Sequence, residues 1–154
     1  IAFGGEGVDT ITFVIADDVI DFTGASDVVD ADGVGLDLDG FTILDGVADA
    51  VISHGLTIVS GATNEAVDAG ATLTAAEIAT YLGDLDGAGN GAVTMASTDD
   101  VAYIMVQGAA GATTLAQVTG GAALVIDAAD VTLIAHFSAL GSEDFLNTNF
   151  ADFG

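Results

Sequence analysis

The chain has 154 residues, of which 24 are Asp or Glu and none is Lys or Arg, giving a formal net charge of −24 at pH 7. Such a surface repels phosphate and so excludes nucleic acid and anionic membranes as partners. A hydrophobic content of 51% and a mean hydropathy of +0.65 exclude disorder, zero Cys excludes disulfides and thiolate metal sites, and no apolar run approaches the ~20 residues that cross a bilayer.

The chain starts at Ile1 with no basic stretch ahead of an apolar one, so no Sec-type signal is expected, and a processed piece or part of a longer protein is. Short segments rich in Val, Ile, Thr and Phe, separated by Asp/Gly turns, predict strands over 10–15, 19–22, 41–44 and 56–59. At Thr74 the pattern changes: Thr74-Ala-Ala-Glu77 matches a capping box, Ile78, Ala79, Tyr81 and Leu82 follow, and Gly83 suits the C′ position. A short helix is expected there. Residues 92–96 and 101–107 predict two further strands. Residues 128–140 predict a second helix, with Asp127 as N-cap, Asp130 in the first turn, and Val131, Ile134 and Phe137 on one face; a strand over 131–137 is the competing reading. The tail carries Phe145, Phe150 and Phe153 and is expected to dock, since exposed it would be adhesive. The fold class is therefore mainly β, β-sandwich or β-roll-like, with one or two short helices. Residues 1–70 form a β-rich Asp/Gly region and 71–154 a β-rich C-terminal region, within one compact unit.

No Lys or Arg can pair with the carboxylates, so their partners are water, backbone N–H groups, hydroxyls and metal ions, of which only a metal removes charge. Two patterns suit calcium, which takes six to eight oxygens. Gly4-Gly5-Glu6-Gly7-Val8-Asp9-Thr10-Ile11-Thr12 fits the nonapeptide G-G-x-G-x-D-x-U-x, in which glycines turn the backbone, Asp9 supplies charge and Ile11 packs inward. A glycine-rich turn leading into a strand is the alternative. Three D-x-D-G segments place carboxylates one residue apart before a turn: Asp30 and Asp32, Asp37 and Asp39, Asp84 and Asp86. Asn90 can add an oxygen to the third, which differs from an EF-hand because Ala88 stands at its fifth position and no Glu at its twelfth. Solvated acidic turns are the alternative for all three.

Enzyme motifs are thin. His54 and His136 have no H-x-x-x-H partner for zinc, Ser53, His54 and Asp49 come without a G-x-S-x-G nucleophile turn, and Gly108–Gly111 lacks the Lys of a phosphate loop. Carboxylate pairs for glycoside hydrolysis would lack the aromatic platform of a sugar site, with no Trp and two Tyr. The expectation is not an enzyme.

The segments TDDVAYIMVQG (98–108) and DAADVTLIAHFSALG (127–141), the Phe-ended acidic tail and the nonapeptide at 4–12 resemble the C-terminal region of repeats-in-toxin-type proteins. That resemblance implies type I secretion through an uncleaved C-terminal signal and folding outside the bacterial cell, where calcium is millimolar. Together these readings lead to an extracellular self-assembling subunit of a filament, surface layer or matrix, stabilised by Ca2+ and forming a homo-oligomer or polymer. The alternative is a monomeric secretion or adhesin module of a larger protein, with cell-surface glycans as the ligand class.

Overall fold

A computed structural model describes residues 8–22, 42–44, 50–52, 55–59, 73–84, 92–96, 98, 101–108, 112–121, 124–138, 140–141, 144–145 and 149–151. In chain order the elements are β1 (Asp9–Ile11), β2 (Ile20–Asp21), β3 (Thr42–Leu44), β4 (Ala50–Ile52), β5 (Leu56–Val59), α1 (Ala75–Gly83), β6 (Val93–Met95), β7 (Val101–Gln107), β8 (Thr113–Thr119), β9 (Val131–Phe137) and β10 (Phe150–Ala151). Among the described residues the protein is mainly β with one short α-helix, as its alternating Val, Ile and Thr segments predict. No helix among the described residues is long and apolar enough to cross a membrane.

Among the described residues six strands form a central mixed sheet in the order β1-β9-β8-β7-β5-β3, and β4-β6 and β2-β10 pair as two ribbons. β3, β5 and β7 run parallel in the central sheet while β4 and β6 run parallel in a ribbon, so the chain steps from sheet to ribbon and back along β3 to β7. The same stepping joins the two ends of the protein: β1 pairs in parallel with β9, and β2 with β10. Parallel neighbours need a long crossover. Here the crossover carries a strand of another layer, which is the roll-like arrangement. β7, β8 and β9 pair antiparallel and tie the two sets together.

The central sheet is buried on both faces, and the period of two along each strand sorts its side chains. On β7, Ala102, Ile104 and Val106 point into one cluster, completed by Ile52, Val93 and Met95 of the ribbon and Ile78, Tyr81 and Leu82 of α1. Tyr103 and Met105 point into the other, with Leu56, Ile58, Ile20, Phe22, Phe137, Phe145 and Phe150. β9 serves both. Leu115 pairs with Ala135 and Ala116 with Leu133, which leaves Ile134 as an extra residue in a β-bulge. One extra residue inverts the alternation, so Val131 joins the first cluster while Ala135 and Phe137 join the second.

The expected helix over 128–140 is corrected by this geometry. Asp127 does precede a helical turn, but that turn is a 3-10 turn of Ala128–Asp130, and Val131–Phe137 is strand. The reading of 131–137 as a strand is the right one, because the run Val131-Thr132-Leu133-Ile134 is mostly β-branched and both β8 and β1 supply ladder partners. α1 starts as expected: Thr74 N–H donates to Glu77 Oε2 (2.8 Å) and Glu77 N–H to Thr74 Oγ1 (3.3 Å). Its end differs from expectation. Gly83 is the last helical residue, and Asp84 is the C-cap, its N–H bonded to Tyr81 O at 3.1 Å.

The C-terminal segment docks. Phe145 and Phe150 are buried, Phe145 packs at 5.3 Å from both Phe13 and Phe137, and Phe22 lies 4.9 Å from Tyr103. Asn149, also buried, donates from Nδ2 to Ile15 O (2.7 Å) and Asp18 O (3.1 Å). Phe153 lies outside the described residues.

Candidate functional site

Two of the eight residues singled out as calcium ligands are described. Asp9 opens β1, exposed and opposite Ala135 of β9, and Ile11, two residues on, packs against the second cluster. The nonapeptide therefore runs into a strand whose apolar residue turns inward. Asp84 caps the C-terminus of α1, partly buried. The two stand on separate elements. Asp30, Asp32, Asp37, Asp39, Asp86 and Asn90 lie outside the described residues, as do Asp49, Ser53 and His54. Among the described residues no group of three or more His, Asp or Glu converges.

Asp84 stands at the C-terminal end of α1. The C-terminal end of a helix carries roughly half a negative charge, together with carbonyls that have no partner inside the helix. A Lys or Arg commonly sits there, and α1 has no basic residue in its last turn. A carboxylate at that end adds like charge. A calcium ion would use the carboxylate as a ligand and answer the helix end at once.

Four other carboxylates have described partners, and all serve short turns. Asp18 Oδ2 accepts Val14 N–H (2.8 Å), Asp130 Oδ2 accepts Asp127 N–H (2.9 Å) and Asp144 Oδ2 accepts Gly141 N–H (2.9 Å). Glu77 Oε2 takes both the N–H (2.8 Å) and the hydroxyl (2.7 Å) of Thr74. In the Asp127 and Gly141 turns the backbone closes the other way as well, Asp130 N–H to Asp127 O and Asp144 N–H to Gly141 O. Each acid thus clamps a turn begun three or four residues earlier. Hydrogen bonds to the ionised form hold the Glu77 carboxyl below its usual range, chiefly the backbone bond from Thr74. Of these four, only Glu77 and Asp130 stand out in the sequence, each three residues after an N-cap. Asp18 and Asp144 carry only the weaker signal of an acid shortly after a turn.

The turns are closely built. A Cβ on Gly121 would lie 2.8 Å from Asp130 Oδ2, and one on Gly141 3.0 Å from Gln107 Oε1 and 3.3 Å from Asp144 Oδ2. Beside them, Leu124 adopts a left-handed φ of 63°, and its carbonyl accepts Met95 N–H at 2.8 Å.

One polar group links three segments. Thr114 Oγ1 lies 2.9 Å from His136 Nδ1 and accepts Leu73 N–H at 3.4 Å, joining β8, β9 and the start of α1. Burial lowers the His136 pKa from its ordinary value and raises that of Tyr103.

No protein-family model, curated protein or solved structure matches this chain.

Proposed function

We propose that the protein is an extracellular structural subunit that associates with itself and is stabilised by calcium, and that it is not an enzyme. The observation that carries this reading is how its carboxylates are satisfied. The four with described partners are held by N–H groups and a hydroxyl, which fill lone pairs but remove no charge. A chain at −24 without Lys or Arg can then approach a copy of itself only through apolar contact or through cations. Asp84, at the C-terminal end of α1 where no basic residue stands, is a described carboxylate that a cation could use. The resemblance of the sequence to repeats-in-toxin-type proteins adds type I export to the bacterial surface to the proposal.

Light scattering in millimolar calcium tests it. The expected result is a mass well above the 15.1 kDa of one chain, falling when calcium is chelated. A persistent single-chain mass would instead favour a monomeric secretion or adhesin module, and an assembly indifferent to exhaustive chelation would remove calcium from the reading.

A further inference from the structure

Residues 8–22 form an arm whose described strand partners lie at the far end of the chain. β1 pairs with β9, β2 with β10, and β1 and β2 do not pair with each other. Ser138 N–H donates to Ile11 O at 3.2 Å, and Asn149 holds the Ile15 and Asp18 carbonyls. Phe13 packs on Phe137 and Phe145, and Phe22 on Tyr103 and Phe150. The arm is a guest in a seat built by β7, β9 and the C-terminal segment.

We infer that copies of this chain exchange arms, the arm of one copy taking the seat of the next through the β1–β9 and β2–β10 ladders. This rests on the self-association proposed above and gives it a contact. Three observations carry it. The inward residues Phe13, Ile20 and Phe22 are buried, whereas the arm's acids Asp9, Asp17, Asp18 and Asp21 are exposed, so the arm docks in another copy without burying a carboxylate. The contact is apolar, one of the two kinds open to a pair of chains at −24. Residues 23–41 connect the arm to β3, and a chain of that length spans at most about 65 Å, against about 40 Å for the width of a compact domain of this size. Passed head to tail, such an exchange builds a ring where the rotation between copies closes and a filament where it does not.

The chain has no Cys, so a pair can be introduced cleanly. Thr12 and Ser138 are both exposed, and Ser138 bonds to the carbonyl of the residue before Thr12. The double variant Thr12→Cys/Ser138→Cys is refolded in calcium, sized by light scattering, treated with a short thiol cross-linker and run on a denaturing gel, with Thr12→Cys alone as the collisional baseline. Arm exchange gives a ladder of covalent multimers beyond that baseline. An assembled sample that yields only closed single chains overturns the inference and leaves self-association standing. A sample monomeric by scattering that yields closed single chains overturns both. Should circular dichroism show that this variant does not fold, Thr10→Cys/His136→Cys, which face each other in the same ladder, is read in the same way.

Discussion

At the scale of single residues the chain works with few charged tools and uses them locally. Asp130 and Asp144 close four-residue turns with their carboxylates, each accepting the N–H of the residue three positions before it. His136 is a half-buried base in an acidic protein, and the cause of its shift is desolvation, which disfavours the charged form. Its titration followed by NMR should have a midpoint below 6.5, and a midpoint at or above that value would contradict the burial. The sign for stability follows. A folded pKa below the unfolded one gives a contribution that is full above about pH 6.5 and is lost as pH falls through the folded value. Leu124 is the other residue under strain. A left-handed backbone costs a non-glycine residue about 1–2 kcal/mol, and its side chain is only partly buried. Leu124→Gly should therefore leave the denaturant midpoint unchanged or raise it, and a clear fall would show that the side chain outweighs the strain.

Among the elements, those that announced themselves carry a local signal strong enough to stand alone. β5 and β7 fall on 56–59 and 101–107 as the sequence reads, because each is a dense apolar run. α1 follows from its capping box. Thr74→Ala removes the hydroxyl that accepts Glu77 N–H and leaves an exposed cap unmade. The expected loss is about 1 kcal/mol, measured by chemical denaturation, and Thr74→Ser should restore most of it. β8 escaped the sequence reading because its buried Thr113 and Thr114 look like surface residues. They are tolerated inside because Thr113 Oγ1 donates to Leu140 O (2.7 Å) and Thr114 meets His136, partners that no local pattern contains. β9 misled for another reason. The spacing of Val131, Ile134 and Phe137 imitates a helix face, and what produces it is a bulge that moves the strand from one core to the other. For the candidate site, Asp9 and Asp84 were legible as motif members, while the negative helix end that gives Asp84 its meaning emerges only once the helix is seen to stop at Gly83.

For the molecule as a whole, two cores share one sheet, and the second core gathers rings from both ends of the chain. Phe145 is its junction, touching Phe13, Phe137 and Phe150. Phe145→Ala should cost about 3–5 kcal/mol. Because the arm depends on that junction, amide exchange in β1 and β2 should accelerate together with β10, while β5 and β7 change least. Uniform acceleration across all strands would mean that the two ends have no common unit of opening.

The pairing of β1 with β9 and β2 with β10 also sets a schedule. Asp9 must wait for Ala135, and Ile20 for Phe150, so neither end can find its ladder while the other is still absent. A chain that emerges residue by residue, in either direction, then remains without a finished central sheet until its last strand is free. Contacts so distant in sequence are slow to form. That delay leaves closure of the central sheet to the end of the chain's emergence, which suits the export proposed above.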